Sequence, residues 1–471
     1  MPRLSGANPQ EDLYARAQQF LPGGVSSSIR LNKALGRPFY VARGEGAYLY
    51  DLEGREYVDL LTSHGATILG HNHPGIRAAI EEALRCGIVC SSETSVHSGV
   101  AAALAEMVPC VDMVRFTCSG TEATMHALRL AREYTGRQKF IKFDGHFHGY
   151  HDYVMWNYGG FTPTEGPSGA PRKSVRSGGV PAGIADYVFM LPFNDLEAVR
   201  RTLWLHGHEI AAVILEPIHY NAGCIVPSKE YLYALRELTH EYGVILIFDE
   251  ILSAFRTGPG CAQEYFNVVP DLCTIGKCVA GGTPLSVFGG RREIMEHLRP
   301  LGNAEHSGTY NGHLIPIMAA EVCLREIRKP GFYDHLYALA DRLYTGMNAI
   351  FQKHGFLARH QGLGARFGLY FGFVEEVRSY QDTARQDADL GLKFFKGMVD
   401  RGIYFCDGGG KPMHHGFSAA HTLADMDRVL QATEDTVKTN PGRRLAGGAS
   451  ARGLRTLTCF SLDTVVPFGL G

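Results

Sequence analysis

The sequence predicts an α/β protein with a large domain, built on a mostly parallel central sheet flanked by helices, and a small α+β domain. Between Val111 and about Gly290, short apolar runs alternate with longer segments of helical periodicity. The clearest runs are Met113–Thr117, Ala211–Leu215, Val244–Phe248, Leu272–Ile275 and Ser286–Phe288. Short runs rich in valine and isoleucine and bounded by turn residues are typical of buried parallel strands.

The segments before this region predict two helices and a group of hairpins. Glu11–Phe20 has helical character and is ended by Pro22-Gly23-Gly24. Arg37–Leu61 carries β-type residues punctuated by glycine, which indicates hairpins. Ile76–Leu84 places its apolar side chains on one face, as a packed helix does.

The segments after the apolar runs are less regular. The stretch 157–183 is rich in glycine, proline and serine and predicts a long surface loop. After Pro316 a helical stretch leads into a smaller α+β region that ends near Lys438. We therefore expect an N-terminal segment (1–62), a large domain (63–312), a small C-terminal domain (313–438) and an appendage without assigned role (439–471).

Composition excludes several classes of protein. The 471 residues include 46 basic and 48 acidic side chains, so no cationic footprint for nucleic acid or an anionic membrane is present. No run of about 18 apolar residues predicts a membrane helix, and the N-terminus lacks an apolar signal core. Eleven scattered cysteines without zinc-pair spacing are typical of reduced thiols. These features predict a cytoplasmic protein without a metal site.

A candidate phosphate site follows the first strand. Met113–Thr117 is followed by Ser119-Gly120-Thr121-Glu122 and a strong helix over Ala123–Glu133. Ser119 and Glu122 have the spacing of a capping box. The same segment is suited to an anion, because the N–H groups at a helix N-terminus bind phosphate. Both interpretations are compatible with each other.

Charged residues follow three of the other strands. Glu216 follows Ala211–Leu215, Asp249 and Glu250 follow Val244–Phe248, and Lys277 follows Leu272–Ile275 on a glycine-bounded turn. Such residues lie at one edge of a parallel sheet, the edge where ligands bind. A buried lysine with a lowered pKa can form a Schiff base with an aldehyde. Phosphate site, acid and lysine together indicate pyridoxal phosphate.

These residues also resemble a known family. Ser119–Ala123, Phe248–Ile251 and Ile275–Lys277 are similar to the motifs of the class III (fold type I) pyridoxal-phosphate aminotransferases. The resemblance is closest to glutamate-1-semialdehyde 2,1-aminomutase-like proteins. It includes Pro22–Val25, Ile214–Pro217 and Ala262–Phe266, and it runs from about residue 12 to residue 435.

The resemblance implies a role for each matching residue. Lys277 would bind the cofactor aldehyde and move the proton, and Asp249 would hold the pyridine nitrogen protonated. The other implied cofactor-binding residues are Ser119, Gly120, Thr121, Phe147, His148, Glu216, Asn221, Ile251 and, from a partner subunit, Thr309. Arg30 would bind the substrate carboxylate, with His64 beside it. The family further implies a homodimer with shared active sites.

Two departures from the aminomutase pattern bear on the substrate. The aminomutases carry tryptophan at the position of His64 and a glutamate where this chain has an insertion and His414-His415. The segments around His64 and His306–Tyr310 look more like aminotransferases that act on aryl amino acids. We therefore expect ping-pong transamination between an amino acid or amine donor and a keto acid. Intramolecular amino transfer by an aminomutase is the alternative.

Two other classes of function are weighed against this one. His146, His148 and His151 could suggest a metal-dependent hydrolase, but their spacing is not that of a zinc-protease helix. A catalytically silent scaffold is a further alternative, which the intact Lys277 and Asp249 argue against.

Overall fold

The structure, a computed structural model, describes residues 9–158 and 171–439. Its largest sheet has seven strands in the order β6-β12-β11-β10-β9-β7-β8. Their bounds are β6 Met113–Thr117, β7 Lys139–Phe143, β8 Val188–Leu191, β9 Ile210–Leu215, β10 Ile245–Glu250, β11 Leu272–Ile275 and β12 Ser286–Gly290. Every residue of β9 and β10 is buried, as expected for strands covered on both faces.

The predicted parallel strands are confirmed with two corrections. β7 to β11 pair in parallel, but Ser286–Phe288 belongs to β12, which is antiparallel to both of its neighbours. In β6 only Thr117 is fully buried, because this strand lies at the edge of the sheet. β7 and β8 were not among the runs identified from sequence, and in β7 the buried Lys142 interrupts the apolar pattern.

The helices agree with the predicted ones within a few residues. Glu11–Phe20 corresponds to Pro9–Ala17, Ile76–Leu84 to Pro74–Arg85, and Ala123–Glu133 to Gly120–Thr135. Pro316 lies inside a helix rather than before it, in the first turn, where the missing N–H costs no intrahelical bond. The other helices are Ser95–Met107, Leu196–His206, Lys229–Glu241, Cys261–Phe266, Arg292–Met295, Leu314–Ile327, Phe332–Lys353, Ala388–Val399 and Leu423–Thr439.

Smaller sheets connect the two ends of the chain. The C-terminal α+β region contains an antiparallel sheet of β13 Ala358–Leu363, β14 Arg366–Phe371 and β16 His414–Gly416. β15, Ile403–Tyr404, pairs in parallel with β5, Glu56–Asp59, of the predicted hairpin region. That region is confirmed as the antiparallel strands β3 Val41–Glu45, β4 Tyr48–Asp51 and β5, and β1 Leu31–Asn32 pairs with β2 Arg37–Pro38 before it.

The predicted surface loop 157–183 is partly wrong. Asn157 is fully buried, and its Nδ2 donates to Asp144 Oδ1 and to Arg172 O, both at 2.8 Å. Residues 159–170 of this loop and the appendage from residue 440 onward lie outside the described residues. Among the helices of the described chain, none combines the length and apolar character that a membrane crossing requires.

Asp271, immediately before β11, connects three elements at the edge of the sheet where β11 begins. Its buried carboxylate accepts hydrogen bonds of 2.8 Å from Leu246 N, Arg236 Nη1 and Arg291 Nη1. These partners come from β10, from the helix Lys229–Glu241 and from the end of β12. The carboxylate therefore joins a helix to the central strands.

We expect Asp271→Ala to lower the free energy of unfolding by about 3 kcal/mol, because it leaves a half-buried arginine and a buried N–H without their acceptor. Thermal denaturation measures the change. Asp400→Ala, which removes the exposed ion pair with Lys396, is the control and should cost less than about 1 kcal/mol. Equal losses in both variants would contradict the anchoring role.

Candidate active site

A cavity of about 280 Å³ lies at the carboxyl edge of the large sheet. This is the edge at which open α/β sheets bind ligands, because the loops after successive strands meet there. Every cofactor residue expected from the sequence lines the cavity except Thr309, and these are Ser119, Gly120, Thr121, Phe147, His148, Glu216, Asn221, Asp249, Ile251 and Lys277. Residues from five strand ends are thus brought together.

One end of the cavity is the N-terminus of the helix Gly120–Thr135. The predicted capping box is confirmed, since Ser119 Oγ accepts from Glu122 N, and Glu122 Oε2 accepts from Ser119 N at 3.0 Å. The first-turn N–H groups of Gly120 and Thr121 have no intrahelical acceptor by helix geometry. They are available to an anion, which the helix dipole also favours.

Glycines keep this end open. A Cβ at Gly120 would lie 3.1 Å from the side chain of Ile251. Gly149 has φ +100°, and a Cβ there would lie 2.7 Å from both Cα and Oγ1 of Thr121. Side chains at these two positions would fill the cradle in front of the helix.

Asp249, near the end of β10, is held by three donors. Its Oδ1 accepts from Ile251 N at 3.1 Å and from Thr274 Oγ1 at 2.9 Å. Its Oδ2 lies 2.7 Å from His148 Nδ1, and burial lowers the pKa of this histidine although the carboxylate opposes the shift. The adjacent Glu250 faces the other side of the strand. The sequence suggested two carboxylates at this strand end, but only Asp249 reaches the cavity.

Glu250 is instead bonded within the protein core. Its carboxylate accepts from Ala262 N at 2.8 Å and from Gln263 Nε2 at 3.0 Å. Burial raises the pKa of Glu250 to about 7. Its role is therefore structural.

Lys277 follows β11 in a strained backbone conformation. Its φ is +45°, which is uncommon for any residue other than glycine. The preceding Gly276 has no room for a side chain, because a Cβ there would lie 2.6 Å from Ser286 Oγ. Burial lowers the pKa of Lys277 to about 8, while Asp249 and Glu216 act in the opposite direction. Such strain is frequent at functional sites.

Glu216 lies in the cavity wall, between the sheet and the two residues expected to bind the cofactor ring, Phe147 and Ile251. Its Oε1 accepts from Phe147 N at 2.8 Å, and its Oε2 accepts from Asn221 Nδ2 at 2.9 Å. Burial raises the pKa of Glu216 to about 8. The loop that carries Phe147 is held from behind, since Lys142 Nζ donates to His146 O at 2.5 Å. Phe147 and Ile251 both line the cavity as expected.

The histidines that suggested a metal site have other contacts. His146 Nδ1 accepts from Glu216 N at 3.0 Å, and His148 is bonded to Asp249. The ring of His151 is buried, and burial lowers its pKa to about 3. Two of the three thus organise the loop behind the cavity.

A left-handed turn, Thr62–Gly65, precedes Ala66 of the cavity wall and contacts the segment that begins at Lys277. We call the region around this turn the substrate side, after the role expected for Arg30 and His64. Thr62, Ser63 and His64 have φ values of 49°, 51° and 55°, and Gly65 has φ +87°. Each left-handed L-residue costs about 1–2 kcal/mol. Asp59 opposes this cost by accepting hydrogen bonds from Leu61 N at 2.9 Å and Thr62 N at 3.1 Å.

Two buried arginines also contact this turn. Arg256 donates through Nη2 to Gly65 O, and Arg366 Nη1 donates to Thr62 Oγ1 at 2.8 Å. Neither arginine was identified from sequence. For Arg366, the sequence signal was a charged residue in the otherwise apolar strand Arg366–Phe371. Its hydrogen-bond partners in the turn lie some 300 residues away along the chain.

His64 belongs to this turn and Arg30 lies near enough to act on its charge, but neither is among the residues that line the cavity, and their roles toward a substrate stay predictions. The half-buried ring of His64 lies 5.9 Å from that of His414, between centroids. Burial lowers the pKa of His64 to about 4, and the charges of Lys277, Arg366 and Arg30 act in the same direction. Arg30 is exposed and donates to Ser26 Oγ. Thr309 is exposed and does not line the cavity of its own chain.

Comparison with known proteins identifies similar chains. Residues 32–435 match the family model of the class-III aminotransferases. An omega-transaminase from Sphaerobacter thermophilus is 31% identical, with 93% of this chain and 98% of that chain covered and a TM-score of 0.86. A β-phenylalanine aminotransferase from Variovorax paradoxus is 30% identical, covering 92% and 94%, with a TM-score of 0.81. A glutamate-1-semialdehyde aminomutase from Pseudomonas aeruginosa PAO1 is 25% identical, covering 91% and 94%, also with a TM-score of 0.81.

The lowered pKa of Lys277 predicts its reactivity. A neutral amine attacks an aldehyde, so reductive methylation of Lys277 in the apoprotein should rise with pH and reach half its maximal rate near pH 8. Mass spectrometry of the peptide that contains Lys277 measures the rate. A short lysine-containing peptide treated in the same way is the control and should still accelerate above pH 9, as lysines in water do. Identical pH profiles for the two lysines would contradict the prediction.

Proposed function

Since the chain belongs to the class III aminotransferases, which depend on pyridoxal phosphate, we propose that its cavity transfers an amino group from a carboxylate-bearing donor to a keto acid. The observation that carries the proposal is the convergence of Lys277, Asp249 and the capped helix N-terminus in one cavity. These three groups meet the three chemical needs of the cofactor, which are an amine, an acid and a phosphate site.

The residues present fit pyridoxal phosphate. The cradle in front of Gly120 and Thr121, which Cβ atoms at Gly120 and Gly149 would fill, would accept the phosphate, and Ser119 caps the same helix. Phe147 and Ile251 would bind the faces of the ring. Glu216 and Asn221 would bind on the side of the ring hydroxyl.

Asp249 would contact the pyridine nitrogen in this arrangement. The donors at Thr274, Ile251 and His148 fix its carboxylate, and a fixed negative charge favours a protonated nitrogen. When bound, the cofactor supplies an aldehyde that joins amines and a pyridinium ring that delocalises the electron pair of a deprotonated carbon.

Lys277 performs the proton transfer. Its Nζ would hold the cofactor aldehyde and, as a free amine in the cavity, would accept a proton from the donor carbon and return it. Transfer first from a donor and then to a keto acid gives ping-pong kinetics.

The charge distribution supports a donor with a carboxylate. Arg30, Arg256 and Arg366 all lie on the substrate side, and Asp59 there is already bonded to His71 and to backbone N–H groups. A substrate carboxylate pairs with Arg30, whose guanidinium is accessible. One of the aminotransferases that the chain resembles is a β-phenylalanine aminotransferase, so aryl β-amino acids are the donor class we propose.

An intramolecular amino transfer is less well supported. The aminomutase match has 25% identity against 31% and 30% for the aminotransferases. The departures at His64 and His414 fall on the substrate side, where the two reactions differ.

The active enzyme in this proposal is a homodimer, with Thr309 of the partner subunit completing the phosphate site. Leu84, Ile88 and Tyr310 are 53%, 67% and 64% exposed. Their segments are adjacent, since Leu314 N donates to Val89 O at 3.0 Å. An exposed apolar surface beside Thr309 is suited to a second copy. The ten cysteines of the described chain are free thiols, which supports a cytoplasmic location.

The test is the visible spectrum of the loaded enzyme with a panel of β-phenylalanine, D-phenylglycine, alanine, glutamate 1-semialdehyde and arylalkylamines. We expect β-phenylalanine to bleach the cofactor band and a keto acid to restore it. The variant Lys277→Ala should lose turnover by several orders of magnitude. Bleaching by the arylalkylamines alone would contradict the donor class, and near-normal turnover by Lys277→Ala would contradict the role of Lys277.

A further inference from the structure

Arg366 joins the elements that form the substrate side of the cavity. Its buried guanidinium donates from Nη1 to Thr62 Oγ1 at 2.8 Å and to Leu61 O at 3.3 Å. From Nη2 it donates to His414 Nδ1 and to His414 O. Within the described ranges, no carboxylate lies at ion-pair distance from it. One side chain therefore connects the left-handed turn to β16.

The fold makes a slot for this guanidinium from two glycines. A Cβ at Gly416 would lie 2.7 Å from Cδ and 2.8 Å from Nη1 of Arg366. A Cβ at Gly65 would lie 3.4 Å from its Cζ. Burying an arginine without a carboxylate is unfavourable, so a position that only needed to be filled would favour an apolar side chain. The hydrogen bonds of Arg366 therefore do more than fill space in the core, because they connect the turn to β16.

The turn that Arg366 holds carries His64, two residues before Ala66 of the cavity wall. The turn lies against the segment that begins at Lys277 and against β16. In the part of the chain that the structure describes, the ring of His64 has no hydrogen-bond partner in the protein, so its nitrogens are open to a substrate. Because the guanidinium donates to Nδ1 of His414, the neutral His414 carries its proton on Nε2.

We propose that Arg366 is a specificity-determining positioning residue that fixes His64 and His414 on the substrate side of Lys277. This role rests on the proposed function, since it concerns recognition of the same donor. Without Arg366, the turn relaxes toward the right-handed or extended conformations that L-residues favour, and His64 moves away. The cofactor side, formed by the ends of β6, β10 and β11, keeps its own contacts.

The variants Arg366→Lys and Thr62→Val test this role, with Arg359→Lys as a matched control. Arg359 is a buried arginine in the adjacent strand β13, where Nη1 donates to Val374 O. The apparent dissociation constant of the donor is measured from the spectral half-reaction, using the donor that the wild type uses best. We expect it to rise at least tenfold in Arg366→Lys, about threefold in Thr62→Val and less than twofold in Arg359→Lys.

Binding of pyridoxal phosphate to the apoprotein is the readout that separates positioning from general damage. Its dissociation constant should stay within twofold of wild type in all three variants. In a His64→Ala background, Arg366→Lys should weaken donor binding by less than threefold more, because the part of its effect that is exerted through His64 is already lost and only the part through His414 remains. Additive effects in that double variant, or equal loss of cofactor and donor affinity, would overturn the proposal.

The experiment distinguishes failure of the role of Arg366 from failure of the proposed function. A wild type that uses none of the carboxylate donors contradicts the donor class, and Arg366→Lys is then compared on an amine donor. If Arg366→Lys does not fold, the donor dissociation constant of Thr62→Val tests the proposal. An unchanged donor affinity in this variant overturns the proposal, and a threefold loss supports it.

Discussion

The hydrogen bonds to the Asp249 carboxylate are the constraint on which the site depends. Thr274 on β11, the backbone of Ile251 and His148 after β7 all converge on this one group at the sheet edge. A buried carboxylate is stable only when its oxygens accept hydrogen bonds, and hydrogen bonds to a charged group are the strongest of these. Through His148, the same interaction fixes the loop that presents Phe147. The ring site, the acid and the strand register are therefore set together.

Lys277 lies between two regions of opposite electrostatic character. Toward the sheet lie Asp249 and Glu216, and toward the substrate lie the cationic groups Arg256 and Arg366. Burial in this position lowers the lysine pKa toward neutrality, which a group that both binds and moves protons requires. Burial, assisted by the same positive charges, lowers the pKa of His64 and keeps its imidazole neutral, so it can donate or accept a hydrogen bond. In the proposed function, this arrangement separates cofactor binding from substrate recognition.

Features that depend on the local sequence pattern could be predicted from the sequence alone. The apolar runs located β6 and β11 to the residue. β11 is buried throughout and leaves an uninterrupted signal, whereas β6 lies at the sheet edge and was found although it contains Arg115. The capping box at Ser119 was visible as well, since its spacing is fixed by the helix. β7 was not predicted because it contains Lys142. In sequence, a buried lysine that donates only to carbonyl groups cannot be told from a lysine at the surface.

Features that depend on distant contacts could not be predicted. The left-handed turn at Thr62–Gly65 contains three residues other than glycine, and only Asp59, Arg256 and Arg366 together explain its conformation. The different directions of Asp249 and Glu250 became clear only with the register of β10. His64 was assigned to the substrate side by resemblance, and the structure adds that it lies beside His414.

The protonation of the cofactor nitrogen tests the central role of Asp249 most directly. Enzyme loaded with pyridoxal phosphate labelled with ¹⁵N in the ring is measured by NMR between pH 6 and 9, in the wild type and in Asp249→Asn. The account predicts a protonated nitrogen throughout in the wild type and a deprotonated one in the variant, with phosphate still bound. An unprotonated nitrogen in the wild type, or the same protonated signal in both proteins, would contradict it.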